Sequence, residues 1–217
     1  MAPSTPHAAS PTVVVPIFPL PEVIFFPHTL LPLHVFEARY RAMVIDALER
    51  DRRLCVVKLR PGYEAGYAGK PAVHPVAGAG EIVSWERLPT GRFNILLRGD
   101  CRLRLERELP SDTLYRLAVA RRLEEVGPTG DVAPVLGRIR STCGRLLAAL
   151  DRPADLLDTA LAPGGAPGAV ADRVAAAVLP DGDLRQELLE TVDVGARLER
   201  LSAALEALVR ELKGGRE

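Results

Sequence analysis

Lysine is nearly absent from this chain. Lys58, Lys70 and Lys213 are the only ones among its 28 basic residues, and the rest are arginine. Acidic residues also number 28, so the formal charge is zero. Residues 13–126 carry 17 basic and 14 acidic groups, and residues 127–217 carry 11 and 14. An excess of three in each direction is too small for a surface dedicated to nucleic acid. Serine–lysine chemistry has three lysines to draw on, and no local signature accompanies any of them.

Other scarcities exclude more. Cys55, Cys101 and Cys143 are odd in number and widely spaced, which rules out a disulfide framework or a zinc pattern and predicts small buried side chains. His7, His28, His34 and His74 have no partner at metal-ligand spacing. No run approaches the roughly 18 apolar residues of a membrane span. Residues 1–12 lack the basic start and apolar centre of a secretory leader, and read as a disordered tail on a cytoplasmic protein. The segment Gly66-Tyr67-Ala68-Gly69-Lys70-Pro71 only superficially suggests a phosphate loop, since Glu64 occupies a glycine position and Pro71 replaces the hydroxyl residue. With no nucleophile, metal set or cofactor motif, the chain is expected to bind rather than catalyse.

Proline and aromatic residues are concentrated at the start. Pro16, Pro19, Pro21, Pro27 and Pro32 interrupt apolar segments that are long enough for strands. A proline offers no backbone donor, so Val13–Phe18 is expected to be an edge-like strand, and Val23–Phe26 a second short one. An amphipathic helix follows over about 35–50, with Val35, Phe36, Tyr40, Met43 and Val44 on its apolar side. Leu54–Leu59 reads as a strand buried on both faces. Residues 60–79 form a Gly/Pro-rich surface loop holding Tyr63 and Tyr67. Strands resume at Gly80–Trp85 and Phe93–Leu97 around the turn signal Pro89-Thr90-Gly91, with a further turn at Gly99-Asp100. Cys101–Glu106 and Leu114–Arg121 complete the strands.

A break at residues 127–131 separates this half from a helical one. Val135 to Leu150, Val170 to Val178, a short helix capped by Asp183, and a last helix capped by Asp193 are expected. Leu198, Leu201, Leu205, Leu208 and Leu212 form a three-four seam that suits packing inside a bundle better than a coiled coil of two heptads.

Pro16-Ile17-Phe18-Pro19-Leu20, Phe26-Pro27, Leu31-Pro32-Leu33 and Phe36-Glu37-Ala38-Arg39-Tyr40 together resemble the N-terminal, substrate-binding domain of ATP-dependent Lon proteases, and most closely its freestanding bacterial members. The pattern continues through Gly80-Glu81-Ile82, Asn94 to Gly99, and Leu188 to Leu201, covering roughly residues 13–212. The resemblance implies an α+β fold: a PUA-like mixed β-barrel or twisted sheet with an early helix over residues 13–126, then an α-helical bundle over 131–213. It also implies recognition of unfolded or tagged polypeptides. With the chain ending at Glu217, the ATPase and peptidase modules of the full-length proteases are not expected in it.

Binding is expected where an extended apolar segment meets the proline-interrupted edge, through main-chain hydrogen bonds and the aromatic residues Phe25, Phe26, Tyr63, Tyr67 and Trp85. Phe18, Phe36 and Tyr40 are expected in the core. A separate protease or chaperone and a homodimer are open as partners; a membrane is not. The alternative is RNA binding, through Arg87, Arg92, Arg98, Arg102 and Arg104 around the hairpin. Glu81, Glu86, Asp100 and Glu106 interleave with these arginines and argue for a balanced, solvated face.

Overall fold

The first strand, β1 (Thr12–Leu20), lies inside the sheet in a computed structural model of the chain, which describes residues 11–67, 69–162 and 164–214. Its first half pairs antiparallel with β6 (Arg116–Leu123), from Thr12 opposite Arg121 to Ile17 opposite Arg116. Its second half pairs parallel with β3 (Arg53–Lys58), from Ile17 opposite Cys55 to Leu20 opposite Lys58. β1 thus has a neighbour on each side, but only Ile17 is paired on both flanks. The prolines are tolerated for a related reason: Pro16 and Pro19 each sit where β1 is paired on one flank, so a missing N–H costs no ladder bond. The tail expected over residues 1–12 falls outside the described residues, except for Pro11 and for Thr12, which already belongs to β1.

Residues 23–26, expected as a strand, form none. They pass over one face of the sheet instead, and glycines on the facing strands make room. A Cβ on Gly78 would lie 1.6 Å from the Phe25 carbonyl oxygen, and one on Gly99 would lie 2.1 Å from that of Phe26. Phe25 and Phe26 then turn into different cores. Phe25 joins the cluster under the first helix, while Phe26 joins the cluster of the C-terminal helices.

The second strand is β2 (Leu30–Val35), antiparallel to the long β5 (Phe93–Leu109). Gly99-Asp100, expected as a turn, is a bulge within β5. Against β4 (Val76–Arg87), Ala79 pairs with Cys101 and Gly80 with Gly99, leaving Asp100 unmatched. The strand order is β2-β5-β4-β3-β1-β6, and the extra β5–β6 pairing closes five strands into a ring with β2 as an outlying flap. Helix α1 (Ala38–Leu48) buries Tyr40, Met43, Val44 and Ala47 against Leu54, Ile82, Phe93 and Leu97.

Four helices follow: α2 (Ala133–Ala149), α3 (Pro167–Val178), α4 (Gly182–Glu190) and α5 (Val194–Gly214). Leu198, Leu201 and Leu205 are fully buried in the core that α5 shares with α2 and α3, so the leucine seam is internal to the bundle. Asp193 accepts from the Ala196 N–H at 2.8 Å, as its capping role requires. For α4 the cap is Asp181 rather than Asp183. Asp181 accepts from the N–H groups of Asp183 and Leu184, which leaves Asp183 to pair with the buried Lys58 at 2.5 Å. The architecture is α+β, a mixed six-stranded sheet followed by helices. No helix among the described residues is long and apolar enough to cross a membrane.

Candidate functional site

The segment Leu30-Leu31-Pro32-Leu33-His34-Val35-Phe36 is apolar at both strand parities, yet only one parity finds a core. Val35 is buried, and Leu31 and Leu33 pack against the cluster beneath α1. The other parity, Leu30, Pro32, His34 and Phe36, stays in solvent, with Leu30 60% and Phe36 59% exposed. Phe36, expected in the core, is thus on the surface. Alternation along an edge strand has produced an apolar stripe that no described residue covers.

Polar groups frame this stripe. Pro32 lies opposite Leu96 on β5, the pair forming an apolar centre. On one side His34 Nδ1 donates to Asn94 Oδ1 at 2.8 Å, and Asn94 Nδ2 donates to Glu86 at 3.1 Å. On the other, Arg98 pairs with Glu81 at 3.2 Å. An apolar centre with a hydrogen-bonded polar rim is the anatomy of a contact surface. β2 is also the one strand of the described sheet with a single neighbour, and Pro32 in its middle withholds a donor from the free edge. Side-chain contact, more than a continuous main-chain ladder, is what this edge can offer.

The expected contact residues are scattered. Phe25 and Phe26 are 1% and 0% exposed and are core residues, because the chain that carries them runs through the interior. Trp85 is 43% exposed but pairs with Ile95, itself opposite Leu33, which puts it on the face opposite the stripe, with the Arg52 guanidinium 4.9 Å over its ring. Tyr63 and Tyr67 are half-buried, their rings 6.2 Å apart and edge-on. The Tyr67 hydroxyl donates to Glu37 at 3.0 Å, and Arg39 lies 5.1 Å over its ring. The structure therefore brings the two tyrosines to the start of α1, one residue on from Phe36, and leaves Trp85 elsewhere.

Arginine is dispersed in the same way. Arg102 is buried and Arg98 is paired with Glu81, so the five arginines of the hairpin region make no continuous basic stripe. The three cysteines are buried thiols. Burial pushes Cys101 and Cys143 up to about 11 and raises Cys55 as well, so none is poised as a nucleophile. Sequence reasoning missed Leu30 and Phe36. Their one signal was an apolar run on both parities around a proline, which withholds a donor from one side of the strand.

Comparison with known proteins places this geometry. The family described as the ATP-dependent protease La (LON) substrate-binding domain matches residues 14–207. The Lon protease of Desulfosudis oleivorans is 22% identical over 201 residues, 93% of this chain and 25% of that protein. The Lon protease of Xanthomonas oryzae pv. oryzae is 28% identical over 193 residues, 86% of this chain and 22% of that protein. The chain thus spans about a quarter of the length of these relatives. Among solved structures, the N-terminal domain of a Mycobacterium avium complex Lon protease superposes with a TM-score of 0.72 at 17% identity, covering 89% of this chain and 98% of that one. A Lon N-terminal domain protein from Xanthomonas campestris gives 0.64 at 24% identity, covering 88% and 98%. Both are likenesses of fold, and the match over residues 14–207 shows that this chain belongs to the family of Lon substrate-binding domains.

Proposed function

We propose that this protein holds unfolded polypeptides in extended form and performs no chemistry on them. The observation that carries the reading is the uncovered stripe of Leu30, Pro32 and Phe36 on a strand with one free side. Apolar side chains of an unfolded client would cover it, and the rim of His34, Asn94, Arg98 and Glu81 would accept the client's polar groups. Membership of a substrate-binding family supports the same reading. So do three high-pKa, buried thiols, which offer no nucleophile.

A direct test uses a reduced, carboxymethylated protein that cannot refold, with its folded form as control. Anisotropy should report binding of the unfolded form alone. Leu30→Asp combined with Phe36→Asp should weaken it about tenfold or more, as loss of central apolar contacts does. Both side chains are exposed, so the melting temperature should not move. Unchanged affinity in this double variant would remove the stripe from the function.

A further inference from the structure

A cavity of about 270 Å³ lies beside the last, singly paired residues of β1. Pro19, Arg39, Tyr40, Lys70, Leu114 and Arg116 supply most of its wall. Tyr40 is the unusual member. It is 4% exposed, with its ring held 4.2 Å from Phe18 and 4.6 Å beneath the Arg39 guanidinium. Its hydroxyl finds no hydrogen-bond partner among the described residues and is not sealed from the cavity. Burial, partly offset by Arg39 and Arg116, pushes its pKa up to about 12, so at neutral pH it keeps its proton and can donate into the cavity.

The charges define that acceptor. Arg39 is paired with Glu37 at 2.9 Å, and Arg116 is paired with Glu108 and also donates to the Pro71 carbonyl at 2.9 Å. Both guanidinium charges are therefore matched. Lys70 is exposed and unpaired among the described residues. The first turn of α1 carries no acid, and Glu37 does not cap it through its side chain, so the positive end of the helix adds to the same potential. One free cation and one hydroxyl suit a monoanion with two oxygens better than a phosphate dianion. Pro19 and Leu114, the latter 68% exposed, make the remaining wall apolar.

We propose that this cavity receives the C-terminal carboxylate of a bound polypeptide, with Lys70 and the Tyr40 hydroxyl as donors and Pro19 and Leu114 against the last side chain. The inference rests on the polypeptide-binding reading and adds polarity to it: a client would be gripped by its end. The test uses the full chain and an N-terminally labelled decapeptide of alanine and leucine, as the free acid, as the carboxamide, and as a carboxamide with glutamate as its last residue. The free acid should bind about tenfold more tightly than either carboxamide, the range of a charge-assisted hydrogen bond. In Lys70→Gln and in Tyr40→Phe, each checked by thermal melting, the gap should fall below about twofold.

Equal affinity of acid and carboxamide, with the unfolded protein still bound, would overturn the carboxylate site and leave the general reading standing. A gap that persists in both variants, or that the glutamate peptide abolishes, would also overturn it, as would displacement of the acid by millimolar inorganic phosphate. Failure of the peptides and of the unfolded protein alike would overturn both readings.

Discussion

Arg102 of β5 and Asp172 of α3 meet at 2.5 Å in the interior, 2% and 0% exposed. Arg102 also donates to Glu125 at 3.0 Å and to the Leu189 carbonyl at 2.9 Å, and Arg197 of α5 shares Glu125. Two guanidinium and two carboxylate groups thus balance at the junction of barrel and helices. Buried charge is tolerated only when it is compensated, so removing one member should be costly. Asp172→Ala is expected to lower stability by about 3–5 kcal/mol, read as a lower urea midpoint at pH 7. Adding Arg102→Met should recover part of the loss. An Asp172→Ala change within about 1 kcal/mol of the parent would show that the junction does not depend on this knot.

Gly78 fits beneath Phe25 only because it has no side chain. A Cβ at 1.6 Å from a carbonyl oxygen cannot be accommodated by a rotamer change, since the obstacle is backbone. Gly78→Ala must push residues 23–26 off the sheet, disturbing the separate cores that Phe25 and Phe26 fill. A loss of about 3 kcal/mol or more is expected in chemical denaturation. Gly62→Ala is the control for added volume in open space, although its φ of +83° adds local strain. A Gly78→Ala protein as stable as the parent would mean that the crossing segment can lift away freely.

The close approach at Gly78 also shows where a sequence stops being readable. The burial of Leu54–Leu59 on both faces follows from its composition, and the four C-terminal helices follow from periodicity, with the Asp193 cap marking the last, because these signals are local. The course of residues 23–26 depends on small residues more than 50 positions away. Gly78 and Gly99 mark strands over which another backbone can pass, but nothing in Phe25-Phe26 itself points to them. The prolines of β1 misled for a similar reason. A strand paired first on one flank and then on the other obeys the same rule as an edge strand. The exposed stripe was hidden in a run apolar on both parities, where composition could not tell which face would be left uncovered.

Arg53 and Asp100 tie β3 to the β5 bulge by two parallel hydrogen bonds of 2.7 and 2.6 Å. Burial alone would raise the Asp100 carboxyl, but the Arg53 fork outweighs it and holds the group below its usual value. A depressed native pKa means that the unfolded chain takes up the proton first as pH falls. The pair therefore stabilises the fold above the unfolded carboxyl value of about 3.9, and that contribution disappears as pH drops through the lower native value. Both groups are partly in solvent, so the contribution should be under about 1 kcal/mol. Asp100→Asn should be slightly less stable than the parent at pH 7, and the difference should close below about pH 4 in paired urea titrations. A difference that stays constant down to pH 2 would assign it to packing of the bulge rather than to charge.

Trp85 is the single tryptophan, and its position makes it a reporter of which face a client uses. It lies on the side of the β2–β5–β4 sheet region opposite Leu30, Pro32 and Phe36, half in solvent beneath Arg52. A client on the stripe leaves the indole hydration and the Arg52 contact as they are. Saturating the protein with a tryptophan-free unfolded polypeptide should therefore move the emission maximum by no more than about 1–2 nm, and Trp85→Phe should change affinity less than about twofold. Arg52→Ala should shift the emission by itself, since it strips a cation from the ring face, an interaction of about 0.5–1 kcal/mol at an exposed site. A strong client-induced blue shift, with Leu30→Asp and Phe36→Asp silent, would move the binding surface to the tryptophan side. In that outcome the outward parity of β2 would be uncovered apolar surface without a role in capture.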